Sequence, residues 1–202
     1  MEATNIPEHE LIILTAPSGA GKTTIAHELL RQLPELTFSI SATTRPPREG
    51  ETPGKDYYFM DTATFQKKID EGAFVEYEKV YEGKYYGTLH SELERIWNDH
   101  KYPLRVVDVV GAEGLKKRFG SHALSIFIEP PSMDTLKQRL FNRGAEDAAG
   151  IAERLERAHK EMAYMHKFDH VVRNEQLQVA TAETIRLIKS FIYSEQTKQP
   201  TQ

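Results

Sequence analysis

Cysteine is absent from the 202 residues. That excludes disulfides and thiolate metal sites, and it suits a reducing compartment. No apolar run approaches membrane-spanning length, and the opening residues Met1 to Glu10 carry neither the basic segment nor the apolar core of a secretion signal. A cytoplasmic protein without a membrane partner is expected. The eight histidines show no metal-ligand spacing. An excess of positive charge is also missing: 26 basic residues stand against 30 acidic ones, for a net charge of −4. No general attraction to nucleic acid is therefore expected, and positive charge needed for an anionic ligand must be local. Internal repeats and low-complexity tracts are lacking, and the length suits one domain or one core with inserted subdomains.

What is present begins at Leu11-Ile-Ile-Leu-Thr-Ala-Pro-Ser-Gly-Ala-Gly-Lys-Thr-Thr24. A short apolar strand runs into a glycine turn, and Lys22 and Thr23 open a helix whose face is marked by Ala26, Leu29, Leu30 and Leu33, with Pro34 as its stop. This is the pattern of a phosphate-binding loop. Ala16, Pro17, Ser18, Gly19, Ala20 and Gly21 would curl so that backbone N–H groups face phosphate oxygens; Lys22 would reach the outer phosphates, and Thr23, followed by Thr24, would offer a hydroxyl to Mg²⁺. One position departs from the usual pattern, because Ala16 stands where glycine is common. The loop loses nothing if the backbone there has negative φ.

Further candidate strands at Leu11–Leu14, Arg105–Val109, Leu124–Ile128 and His170–Val172 are each followed by a turn and a helical pattern, which predicts a parallel sheet flanked by helices. Residues 39–90 break that rhythm. Tyr57-Tyr-Phe, Phe74-Val-Glu-Tyr-Glu and Tyr85-Tyr-Gly are short aromatic or β-branched pieces separated by Gly and Pro, as in a small mixed insert that binds a substrate. Its first segment, Ser41-Ala-Thr-Thr-Arg-Pro-Pro-Arg-Glu-Gly50, sets Arg45 and Arg48 among hydroxyl groups, a combination suited to a phosphate dianion. A solvated turn would look the same in isolation. Asn142 to Gly150 is polar and lies between two helical segments, where a mobile lid would sit.

Taken together, Pro17-Ser-Gly-Ala-Gly-Lys22, Ser41-Ala-Thr-Thr-Arg-Pro-Pro-Arg48, Gly54-Lys-Asp-Tyr57, Phe74-Val-Glu76, Tyr85-Tyr-Gly87, Pro130-Pro-Ser132 and Arg139-Leu-Phe-Asn-Arg-Gly144 resemble the guanylate kinase family in order and approximate spacing. The resemblance spans about Leu11 to Phe191. It implies an α/β fold: a P-loop NTPase-type parallel sheet flanked by helices, with a mixed α/β GMP-binding insert and a helical lid. The core would be 1–38, 91–138 and 155–194, the GMP subdomain 39–90, the lid 139–154 and a disordered tail 195–202. The implied activity is transfer of the γ-phosphoryl group of ATP to GMP or dGMP with Mg²⁺, by a monomer or homodimer.

Carried over residue by residue, the resemblance assigns the GMP phosphate to Arg45, Arg48, Tyr57 and Tyr86, beside Gly87. Guanine falls to Glu76, Ser41 and Thr88, with Asp108 close by. Glu76 suits guanine because one carboxylate can accept from the adjacent N1–H and N2–H₂ donors, a pair adenine lacks. Arg139, Arg143 and Arg154 would converge on the ATP phosphates as the lid closes, and Asn174 resembles a position near the adenine. Thr88 stands where serine is common, and Val106 and Val110 replace an acid and a glutamine of the family pattern around Asp108. Arg157 and Lys160 read as a solvated helix face. Two other functions remain open to this sequence: a guanylate-kinase-like binding module without catalysis, and a related P-loop kinase for another phosphorylated small molecule.

Overall fold

The computed structural model describes residues 10–81, 83–142 and 148–196. In chain order the elements are β1 (Leu11–Thr15), α1 (Lys22–Gln32), β2 (Leu36–Phe38), β3 (Ser41–Thr43), β4 (Tyr57–Phe59), α2 (Thr62–Asp70), β5 (Phe74–Tyr81), β6 (Lys84–Leu89) and α3 (His90–Asn98). They continue with β7 (Tyr102–Val107), α4 (Val109–Phe119), β8 (Ala123–Glu129), α5 (Met133–Asn142), α6 (Ala148–Met162), β9 (His170–Arg173) and α7 (Leu177–Gln196). Residues from Thr37 to Pro103 form one compact unit, and the chain up to Leu36 and from Leu104 onward forms the other.

The larger unit is built around β1. All five of its residues are buried, so the strand has no solvent face and belongs inside a sheet covered on both sides. Each such Leu or Ile contributes on the order of 1.5–3 kcal/mol relative to exposure. The sheet order is β2-β7-β1-β8-β9, with β1 parallel to both β7 and β8, and β8 parallel to β9. Ile25, Ala26 and Leu29 form the buried stripe of α1, which ends before Pro34. Because β1 and β7 run parallel in the register Thr15↔Val107, the segments that follow them, residues 16–21 and Asp108, leave the sheet side by side at its carboxyl end. That end is where parallel α/β sheets hold ligands.

Two sequence expectations shift here. Val109, expected in the strand, opens α4 instead, because the Asp108 side chain accepts from the Gly111 amide and so caps the helix. Glu195 and Gln196, expected in a disordered tail, close α7, whose last residues include no helix breaker. Residues 197–202 lie outside the described residues.

The smaller unit is a mixed four-stranded sheet of order β4-β3-β6-β5, in which β3 is parallel to β4 and antiparallel to β6. Its two faces alternate along each strand. Ala42, Tyr58, Tyr85 and Leu89 turn to one face, where they surround Phe65 of α2. The Phe65 ring stacks on Phe74 at 4.3 Å and lies 5.3 Å from Tyr85. Gly87 is required by this packing: a Cβ there would come 2.8 Å from the Phe74 ring and 2.9 Å from the Glu76 carbonyl oxygen.

Helix α3, placed with the core by the sequence boundary at residue 91, belongs to this unit, which extends to Pro103. The reason is Glu92, only 2% exposed. One carboxylate oxygen accepts from the Ile40 amide at 2.8 Å and the other from the Tyr58 hydroxyl at 2.8 Å, while Arg95 donates to both. Removing such a carboxylate strands buried donors. Glu92→Ala is therefore expected to lower stability by roughly 3 kcal/mol, read as a lower urea midpoint, with Glu92→Gln intermediate. Equal midpoints for Glu92→Ala and wild type would refute this account of α3.

Candidate active site

The loop after β1 is shaped by its carbonyls as much as by its amides. Gly19 and Gly21 have φ of 89° and 97°, and Gly21 is the N-cap of α1. At Gly21 any side chain would also collide with Asn174, whose Nδ2 would lie 2.5 Å from the added Cβ. That amide group donates to the Ala20 carbonyl at 2.8 Å, and Arg139 Nη1 donates to the same oxygen at 3.3 Å. With the Ala20 carbonyl held from behind, the amides of the curl and the N-terminus of α1 are left to face an anion. Among the described residues His100 alone has positive φ outside glycine, so Ala16 keeps an ordinary backbone and its methyl group is buried without strain. Pro17 and Ala20 are also buried, whereas Ser18, Thr23 and Thr24 are exposed.

Lys22 Nζ donates to the Val107 carbonyl at 2.8 Å, and the Thr15 hydroxyl donates to the same oxygen at 3.1 Å. Burial pulls the ammonium below its usual range, opposed by the nearby charges of Asp108 and Glu161. Asp108 thus stands with Lys22 in the larger unit. Its Oδ1 is the helix cap, and its Oδ2 faces Arg157 Nη2 at 3.4 Å. Arg157 is braced in turn by Glu161 at 2.8 Å, and Glu161 Oε2 is buried without a hydrogen-bond partner. Arg157 keeps the exposed, i,i+4-paired place on the helix expected from the sequence, and in addition meets Asp108. Its i,i+4 spacing to Glu161 was legible, but its meeting with Asp108 across 49 positions was not.

Of the remaining residues expected at the ATP phosphates, Arg139 and Arg154 lie on the helices after β8. Arg139 sits on α5, which packs against α6 through Leu136, Leu140 and Ala158. Arg154 is half-buried on α6. Arg143, the third expected lid arginine, lies outside the described residues, as does most of the expected lid loop. Asn174, expected near adenine, is 4% exposed with its amide donated to the loop backbone.

In the smaller unit the insert residues singled out in the sequence share the second face of the sheet. Ser41 is paired with Tyr57, Thr43 with Tyr86, and Glu76 with Thr88, all odd-numbered on β3 and β4 and even-numbered on β5 and β6. A bulge between Phe74 and Glu76 lets Phe74 stay in the core while Glu76 turns to this face. The buried Thr88 hydroxyl donates to Glu76 Oε1. Tyr57 and Tyr86 meet edge to face, with ring centroids 6.2 Å apart.

Arg45 and Arg48, equivalent in the sequence, are not equivalent in space. Arg45 is 8% exposed and forms a two-pronged ion pair with Glu51, both contacts at 2.7 Å, with a further bond to the Pro46 carbonyl. Its guanidinium lies over the Tyr57 ring at 5.0 Å. Arg48 is exposed and contributes its backbone amide to Glu51 at 2.7 Å. Glu51 therefore closes the loop 45–51 as a clasp. Its spacing of i, i+3, i+6 with the two arginines was the available signal, and it was missed.

Sequence comparison decides the family. The family model described as guanylate kinase matches residues 8–192. The chain belongs to the guanylate kinase family. A guanylate kinase of Chlorobium chlorochromatii is 49% identical over 186 residues, covering 92% of this chain and 97% of that relative. A guanylate kinase of Salinibacter ruber is 46% identical, covering 94% of this chain and all of that relative. The crystal structure of guanylate kinase from Anaplasma phagocytophilum matches with a TM-score of 0.71 at 30% identity, over 90% of this chain and 85% of that one. The α/β core with a parallel sheet flanked by helices is thus the guanylate kinase fold.

Within this family member the clasp makes a pH prediction. The Arg45 guanidinium and the Arg48 amide hold the Glu51 carboxyl at about 2, below the ordinary glutamate value of about 4.3. A depressed carboxylate contributes stability that is complete above its unfolded value and lost as pH falls through the folded one. Wild type is expected to resist urea better than Glu51→Gln at pH 7, with the two midpoints converging as pH drops from about 4.5 towards 2. A gap independent of pH would assign the difference to something other than the clasp.

Proposed function

We propose that this guanylate kinase family member transfers the γ-phosphoryl group of ATP to GMP, and also to dGMP, through the residues described above. The observation that carries the reading is the polar sheet face on which Glu76, Thr88, Ser41, Tyr57 and Tyr86 come together. Glu76 accepts from the guanine N1–H and N2–H₂ donors, and the Thr88 hydroxyl steadies it. Arg48, the Tyr57 and Tyr86 hydroxyls and the donors that Glu51 leaves to Arg45 take the GMP phosphate.

On the donor side the loop amides and Lys22 hold the outer phosphates of ATP. To reach them Lys22 exchanges the Val107 carbonyl for phosphate oxygens, and its partly desolvated ammonium gains more from that exchange than a hydrated one. Asp108 is the carboxylate beside Lys22, and Arg139, Arg143 and Arg154 supply further positive charge.

Mg²⁺ fits this donor set. Thr23 offers an exposed hydroxyl at the N-terminus of α1, and among the described residues no cluster of three or more His, Asp or Glu could hold an ion alone. The Thr23 hydroxyl would hold the ion together with the phosphates, and the ion would supply positive charge to offset that of the transferring phosphoryl group.

No general base is needed, because the attacking phosphate oxygen of GMP, with a second pKa near 6, is already ionised at neutral pH. What remains for the protein is alignment, charge compensation and exclusion of water as a competing acceptor. A cytoplasmic setting accompanies this reading, supported by a chain without cysteine.

Coupled ADP release tests it. With Mg²⁺-ATP, turnover is expected with GMP and dGMP and not with AMP or UMP. Glu76→Gln should lower kcat/KM for GMP about a hundredfold or more while ATP hydrolysis without GMP stays within about threefold, and Lys22→Ala should bring both to background. Wild-type turnover of AMP equal to that of GMP would remove Glu76 from the reading.

A further inference from the structure

Asp108 lies in the sequence Val106-Val-Asp-Val-Val110, so no adjacent side chain can pair with its carboxylate. The Lys22 ammonium rests on the carbonyl of Val107, the residue before it, and Asp108 acts on that ammonium as the strongest charged influence. An unrestrained carboxylate there would capture Lys22, and the pair would have to separate before phosphate could bind. Two contacts restrain it. The Gly111 amide holds Oδ1 at 2.9 Å, and Arg157 Nη2 faces Oδ2 at 3.4 Å. Arg157 reaches this place from α6 because Glu161, one turn along the helix, takes its Nε at 2.8 Å.

We propose that Arg157 is a positioning residue for phosphoryl transfer, acting through Asp108: it occupies the outer carboxylate oxygen and leaves Lys22 available to the triphosphate. Lys22 then rests on a neutral carbonyl, Val107, which it gives up at far smaller cost than a carboxylate. The inference rests on the reading of the loop as the ATP-binding half. Arg157 is itself half-exposed, and exposed ion pairs contribute little to folding, so its removal spares the fold.

The test is calorimetric titration with Mg²⁺-ATP and, separately, with GMP, supported by thermal midpoints. Arg157→Ala is expected to weaken ATP binding roughly three- to tenfold and to leave GMP binding within about twofold. Arg157→Lys, which keeps the charge, should retain ATP affinity within about twofold. In an Asp108→Asn background, where no carboxylate competes for Lys22, Arg157→Ala should change ATP affinity by less than about twofold. An equal loss in both backgrounds would make Arg157 a direct phosphate contact and overturn the proposal, as would the absence of any loss in the single variant. Failure of wild type to bind ATP at all would instead overturn the underlying reading of the loop.

Discussion

The Val107 carbonyl is the point on which the loop after β1 turns. Parallel pairing of β1 with β7 in the register Thr15↔Val107 brings it to the root of that loop, where it accepts from both Thr15 and Lys22. A shift of one residue would turn this carbonyl away from β1 and from both of its donors. The register of β1 with β7 therefore fixes the resting place of the lysine and the exit of Asp108 beside it.

The smaller unit obeys a different constraint, the period of two along its strands. Packing Ala42, Tyr58, Tyr85 and Leu89 around Phe65 obliges Ser41, Tyr57, Tyr86 and Thr88 to the opposite face. Glu76 joins them only because a bulge resets the phase of β5 after Phe74. The aromatic core and the polar face are thus one arrangement seen from two sides. Gly87 sits where the two meet, too close to Phe74 for any side chain.

Much of this could be read along the chain, and the unreadable part has a common cause. The loop, its strand and helix, and the short aromatic strands of the insert are local patterns, and they reappear in the structure. Glu92, Asp169 and Arg157 act across long separations: Glu92 on Ile40 and Tyr58, Asp169 on Ser125, Arg157 on Asp108. Nothing in the immediate neighbourhood of such a residue tells a surface charge from a buried tie. The strand boundary at Asp108 was lost for a related reason, since Val109 and Val110 suit a strand until the cap behind them is seen. Arg45 and Arg48 look alike in sequence because burial alone separates them.

That separation bears on how an acidic chain selects an anion. Between Arg45 and Glu51 the segment carries two arginines and two glutamates, so its charges balance. On the proposed reading, the segment would exert little pull at a distance, and a phosphate ion arriving alone would gain little from field strength. On that reading recognition would be left to fit: a ligand would have to match the residual donors of a guanidinium that Glu51 has already oriented, together with two phenols and a carboxylate set apart from them. An unbalanced cluster of arginines would bind more kinds of anion more tightly. On that reading the clasp would give up that breadth in exchange for discrimination.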